Sequence, residues 1–231
     1  MGRLWEDIFS ELPIAVLVTG IVLAGLWISN IVYDHGVPHY VSRKIGHAAG
    51  GVAFLVAFTL SSPAWPIILT ILFSVMLLLA RLLKPDTFRG VGGTGRSENA
   101  MAEIWFALVA LPVFAISWLW LDKPAVAVTS LLFMAWGDGI TGLVRSRVYH
   151  KPVKGLWGSL AMLGVCLAIT WVFIHPLWIG IAASAVAVAV EWAAGDCGVL
   201  KWADDNWVIP LATMATILGL MALIGDLGKN I

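Results

Sequence analysis

Charge is what this sequence has least of. Asp, Glu, Lys and Arg together make up 12% of its 231 residues, about half of the quarter or so that keeps a soluble domain's surface wet. Charge of one sign is not in excess either. Fourteen Lys and Arg balance fourteen Asp and Glu, so a broad basic face for nucleic acid is excluded. Cysteine is nearly absent: Cys166 and Cys197 form no CxxC and no metal-ligand spacing, which excludes a disulfide scaffold and leaves two free thiols. Polar low-complexity tracts are missing, and with them the composition of a disordered chain. The first eleven residues carry three acids and one base, and the apolar run after them is too long for a signal-peptide core, so no cleavable leader is expected.

Apolar sequence fills the rest. Hydrophobic residues make up 60% of the chain and the mean hydropathy is +0.92. A membrane-crossing helix needs about 20 mostly apolar residues, and such runs lie near 12–33, 45–61, 64–82, 100–120, 124–144, 157–174, 177–194 and 207–225. The pattern predicts an all-α, polytopic membrane helix bundle of about eight transmembrane helices, forming one integral membrane domain over 1–231. Pro63 and Pro66, Pro124, and Pro176 fall at breaks between runs, where a missing N–H donor and a restricted preceding residue end helices. Six tryptophans near the expected helix ends, Trp65, Trp118, Trp120, Trp157, Trp178 and Trp207, suit interfacial anchoring.

With eight spans the loops alternate between two sides. One side takes Arg43, Lys44, Arg81, Lys84, Arg89, Arg96, Arg145, Arg147, Lys151, Lys154 and Lys201, the other only Arg3, Lys123 and Lys229. The positive-inside rule then places the eleven bases in the cytoplasm and both termini outside. The bare outer loops favour a prokaryotic plasma membrane.

Ionisable groups inside such a bundle mark function, because each is expensive in hydrocarbon. Asp138 lies 14 residues past Pro124 and Glu191 14 past Leu177, so both sit roughly 21 Å from the outer face at 1.5 Å per residue. His47, Asn99 with Glu103, Ser159 and Asn206 open other spans at the same inner end. The expected result is a polar cleft open to the cytoplasm. Asp138, Thr141 and Arg145 follow i, i+3, i+7 spacing, which puts acid, hydroxyl and guanidinium on one helix face. Gly137, Gly139 and Gly142 leave that neighbourhood open to close approach. The stretch Arg145–Lys154 is expected as a basic loop leading through Gly155 and Gly158 to Ser159, a phosphate cradle at a helix start. Asp204, Asp205 and Asn206 offer hard oxygens suited to Mg²⁺, or a simple helix cap.

Four blocks resemble a known family. Arg43-Lys44-Ile45-Gly46-His47-Ala48-Ala49-Gly50-Gly51, Gly137-Asp138, Lys154-Gly155-Leu156-Trp157-Gly158-Ser159 and Asp204-Asp205-Asn206-Trp207-Val208-Ile209-Pro210-Leu211 occur in this order. They are similar to the RK-x-x-H-x-x-G-G, GD, K-S-x-E-G-S and D-D-N-x-x-x-P-L stretches of the CTP-dependent lipid-alcohol kinases: dolichol and polyprenol kinases, phytol kinase and CTP-using diacylglycerol kinases. From Arg43 to Leu211 the blocks span about three quarters of the chain. The family's Glu in the third block is Trp157 here and its first Ser is Gly155, so Glu191, Glu103 or Glu98 would have to stand in for that carboxylate.

The resemblance implies transfer of the γ-phosphate of CTP to a long-chain lipid alcohol of the polyprenol, dolichol or geranylgeraniol type, with Mg²⁺ or another divalent cation, at the cytoplasmic face. On this reading Arg43, Lys44, Gly137, Thr141, Arg145, Lys151, Lys154, Gly158, Ser159 and Asn206 face the nucleotide. Asp138, Asp204 and Asp205 hold the metal. Asp138, Glu191, His47 and Glu103 are the catalytic candidates. Two other readings use the same polar residues: a cytidylyltransferase that forms a CDP-lipid, and a membrane transporter. The transporter would need a path to both faces and paired repeats, and neither is visible.

Overall fold

A computed structural model describes residues 9–92, 101–150, 153–194 and 203–226. Eight long helices follow one another: α1 Leu12–Asp34, α2 His39–Ala57, α3 Ala64–Leu83, α4 Ala102–Trp120, α5 Pro124–Tyr149, α6 Leu156–Phe173, α7 Leu177–Ala193 and α8 Asp205–Leu223. No strand occurs among the described residues. Proline starts several of them. Pro13 and Pro124 sit in the first turns of α1 and α5, and Pro38, Pro63 and Pro176 immediately precede α2, α3 and α7, positions where the absent N–H is not missed.

Six of the eight are long and apolar enough to cross a membrane. The other two have evident reasons to fall short: α2 opens with His39, Arg43, Lys44 and His47, and α7 has 17 residues. The surface agrees. Leu17, Leu72, Leu79, Trp171, Val172 and Ile181 are exposed, an apolar exterior that suits lipid and not water. The protein is an integral membrane protein. Trp120, Trp157 and Trp178 project outward as anchors should, whereas Trp118 is buried against Phe114 and belongs to the core.

Helix α5 is the axis of the bundle. Its apolar window is 83% buried, against 28% for α1 and α3, and Val126 to Ala135 form an unbroken buried run. A helix apolar on all sides must be surrounded; α2, α4, α6 and α8 pack around this one. Two helices depart from regular α geometry. In α4 the regular helix pauses at Val109, where Pro112 leaves the Leu108 carbonyl without its N–H partner, and a π-helical stretch follows over Phe114–Trp120. In α5 a π-helical stretch covers Phe133–Asp138 and ends on the carboxylate singled out above.

The sequence predicts a basic loop from Arg145 onward. The helix instead continues to Tyr149, and His150, in a left-handed conformation, ends it. Arg145 is therefore a buried helical residue, two turns beyond Asp138 on the same helix.

Small residues let the helices close on each other. A Cβ on Gly25 would lie 2.2 Å from the Ala49 Cβ, and one on Gly180 would lie 2.2 Å from the Thr170 methyl. Gly25→Ala should therefore lower stability by about 1–3 kcal/mol through overpacking. Gly164→Ala, which meets nothing within 4 Å, should be neutral or stabilising by up to about 1 kcal/mol. Thermal unfolding in detergent separates the two.

Candidate active site

Because successive helices alternate in direction, the starts of α2, α4, α6 and α8 share one end of the bundle with the ends of α3, α5 and α7. The described members of the polar set expected there lie at that end, not in one common cleft but in three separate clusters.

The first joins α2 to α5. Lys44 Nζ donates to Asp138 Oδ2 over 2.6 Å, and His47 Nδ1 lies 3.6 Å from the same oxygen. The Thr141 hydroxyl donates to the Asp138 main-chain oxygen at 2.7 Å and lies 3.1 Å from Oδ1, so it orients the acid from behind. Gly142 is required here: a Cβ at that position would stand 2.4 Å from Lys44 Cε. The space left by the glycines of α5 is thus filled by protein. The lysine stem occupies the gap at Gly142, and Cys166 Sγ, a buried free thiol, abuts Gly137.

The second cluster joins α5, α6 and α7. Glu191 has no exposed surface; Lys154 Nζ donates to its Oε1 at 2.5 Å and Arg145 donates to its carboxylate at 3.0 Å. Lys154 also donates to the Glu191 main-chain oxygen, which satisfies a carbonyl in the last turn of α7 and suits the negative end of the helix dipole. Two donors beside this pair, Arg145 Nε and the Ser159 hydroxyl, are buried with no hydrogen-bond partner among the described residues. Gly158 stands between them, its missing Cβ replaced by Arg145 Nε at 2.8 Å. Trp157 is exposed, so a carboxylate beside Lys154 comes from α7 and not from the neighbouring residues of α6.

The third cluster joins α3 and α4. Arg81 donates to Glu103 Oε1 at 2.5 Å. Arg81, counted in the sequence among the eleven bases of one side with no partner assigned, lies inside the last turn of an apolar helix, which was the clue to a buried partner. Asn206, at the start of α8, donates to the Ala102 carbonyl at 3.2 Å, and its Oδ1 is buried with no partner among the described residues. Asp204 and Asp205 both accept from the Asn206 backbone N–H, at 2.9 and 3.0 Å, and so cap α8. No group of three or more His, Cys, Asp or Glu gathers as a metal cluster among the described residues. Lys151, Glu98, Asn99 and Cys197 lie outside the described residues.

Beside the clusters runs an apolar slot between α1, α2, α3 and α4, whose empty space, counted together with its open part, is about 910 Å³. Val22, Ala53, Phe54, Leu69, Phe73 and Phe106 form its walls, and Arg43, His47 and Glu103 line its polar end. The His47 ring packs on Phe106 with centroids 4.6 Å apart. His47 thus belongs to both the slot and the Asp138 cluster. Val91, from the turn after α3, also lines the slot. That turn is pinned to α1 and α2: Asn30 donates to the Thr87 carbonyl and accepts from Gly90 N–H, while Ser42 donates to the Gly90 carbonyl.

The chain is similar to a phytol kinase from Synechocystis sp. (strain ATCC 27184 / PCC 6803 / Kazusa), at 28% identity over 189 residues, 76% of this chain and 77% of that protein. The chain thus resembles a lipid-alcohol kinase over about three quarters of its length. No family model and no solved structure matches it. The four blocks that carry the resemblance all start at the polar end of the bundle.

The pairing of Glu191 has a measurable consequence. Glu191→Leu would strand Arg145 and Lys154 beside each other and should cost about 3–5 kcal/mol, as loss of one partner of a buried pair does. Arg145→Met leaves Glu191 with Lys154 and should cost clearly less. Denaturation of the two variants in detergent gives the order, and the reverse order would contradict the geometry described.

Proposed function

We propose that the protein is a membrane kinase that transfers the γ-phosphate of CTP to the hydroxyl of a long-chain prenol of the phytol or geranylgeraniol class, at the cytoplasmic face. The observation that carries this reading is the polar end of the apolar slot. A greasy cavity terminates on Arg43, His47 and Glu103, and His47 is 3.6 Å from a carboxylate held by a lysine. A prenol tail in the slot would bring its hydroxyl to that end, next to the cations. The nucleotide assignment rests on the family resemblance, and the lipid class on the slot together with the name of the cyanobacterial relative.

Phosphoryl transfer depends mostly on positioning and charge neutralisation. Lys44, Arg145 and Lys154 bind the phosphates, exchanging carboxylate partners for phosphate oxygens, and the unpaired Arg145 Nε and Ser159 hydroxyl supply two further donors. The donor set fits a divalent cation such as Mg²⁺, which typically takes one or two carboxylates together with substrate phosphates. Asp138 would hold it, and the orphaned Asn206 Oδ1 is a second hard oxygen at the same end. Such an ion would neutralise charge on the transferring phosphoryl group. The prenol oxygen forms a bond to the γ-phosphorus as the bond from that phosphorus to the bridging oxygen breaks. CDP leaves, and His47 takes the hydroxyl proton. Glu103, fixed by Arg81, orients the hydroxyl at the slot mouth.

Purified protein given γ-labelled CTP and geranylgeraniol should yield labelled lipid. Label arriving only from the α position, with the prenyl phosphate offered as acceptor and pyrophosphate released, would select a cytidylyltransferase, and no lipid product from either label would remove the enzyme reading. His47→Gln should lower kcat by about 10²-fold or more, the usual contribution of a general base. Its KM for the prenol should change little, since the tail is held elsewhere. Asp138→Asn should lose turnover as well.

A further inference from the structure

The slot has an end as well as a mouth, and the end has a defined composition. Its lining on α2 runs from Arg43 to Ala57, on α3 from Leu77 to Pro66, and on α4 from Ala102 to Phe114. These stretches of 11 to 14 residue steps correspond to about 16–21 Å at 1.5 Å per residue, short of the roughly 30 Å of a bilayer's hydrocarbon core. The last lining residues are Val18, Ala57, Pro66 and Phe114. About one turn further out, Ala15, Leu60 and Trp118 are buried in the core and do not line the slot. The cavity stops inside the bundle.

Resting on the kinase reading above, we propose that this closed end is a length gauge for the lipid tail, with Ala57 and Phe114 as the residues that set the stop. The small residues of α2 along the slot divide into two kinds. A Cβ on Gly46 would meet Val91 at 2.8 Å and one on Gly50 would meet Phe106 at 2.6 Å, so both serve packing against protein. Ala53 and Ala57, one and two turns further along, line the empty space. Phe114 faces them from α4, its ring held by Phe54 at 6.2 Å and by Trp118 at 6.1 Å between centroids. A methyl at position 57 and a fixed ring at 114 therefore fix where the terminal isoprene unit rests. A phenyl group at position 57 would fill about the space of one such unit, six ring carbons against five.

The test is a series of prenols from two isoprene units upward, assayed with labelled CTP on the full chain. Wild-type kcat/KM should rise with length to a limit and then fall. Ala57→Phe should move that limit one unit shorter, lowering the longest good substrate by about 10-fold or more while sparing shorter ones, as added or lost pocket volume of this size does. Phe114→Ala should move it longer. A photoreactive diazirine at the tail terminus of geranylgeraniol supplies a readout on the wild-type protein that needs no turnover, and it should label the Ala57 or Phe114 peptides. Equal effects of both variants on all chain lengths, or tail label outside α1–α4, would overturn the gauge and leave the kinase assignment standing. Tail label at Ala57 or Phe114 without phosphorylation of any alcohol would overturn the kinase assignment and leave the slot as a prenol site.

Discussion

A charge with no water around it has to be paired, and this constraint organises the polar end of the bundle. Taking an ion out of water costs several kcal/mol even after relaxation, so at this end Asp138, Glu191 and Glu103 each draw in cations from other helices. Asp138 ties α5 to α2 through Lys44, Glu191 ties α7 to α5 and α6 through Arg145 and Lys154, and Glu103 ties α4 to α3 through Arg81. The hydrogen bonds of Asn206 and Asn30 attach α8 and α1 to the same framework. Hydrocarbon offers helices no hydrophobic reason to associate. Here the pairings, with close packing at glycines, hold the helices in register.

The residues that hold the fold are also those a triphosphate would engage. Three of the cations and two of the carboxylates are already within bonding distance of one another, so phosphate binding need not bring in charge from solvent. It redistributes contacts among groups already in place, the kind of preorganisation that stabilises developing charge. The unpaired Arg145 Nε and Ser159 hydroxyl fit the same view. Their desolvation is unmatched among the described residues, and an anion would match it.

Much of this was legible in the sequence because hydrophobic runs and isolated charges are strong signals in a membrane protein. All eight helices, and the convergence of His47, Glu103, Asp138, Glu191 and Asn206 at one end, follow from counting apolar residues and noting where polar ones interrupt them. Three features were not legible. The extension of α5 to Tyr149 was hidden because Arg145 looks like the start of a loop until its partner on α7 is known. The glycines near Asp138 signalled close approach but not whether ligand or protein fills the gap, and at Gly142 it is Lys44. The slot depends on which faces of four helices meet, and single-helix patterns carry no such information.

Helix α2 resolves how a soluble phosphate donor and a membrane alcohol could meet in one protein. The slot is built from α1 to α4 and the phosphate-directed cations from α2, α5 and α6, so α2 is the element common to both. Its first turns carry the requirement in a few residues: Arg43 and His47 face the slot, while Lys44 crosses Gly142 to reach Asp138. Residues 43 and 47, one turn apart, share the face toward the slot, while residue 44 is turned about 100° away from residue 43. On the proposed function, nine residues of α2, Arg43 to Gly51, would face lipid tail, hydroxyl and phosphate at once, with Gly50 and Gly51 leaving room for Phe106 and Trp136 behind them. That geometry explains why the polarity that lowers the hydropathy of α2 is concentrated in its first three turns. The apolar remainder of the helix, from Val52 to Ala57, supplies slot wall and lipid-facing surface instead.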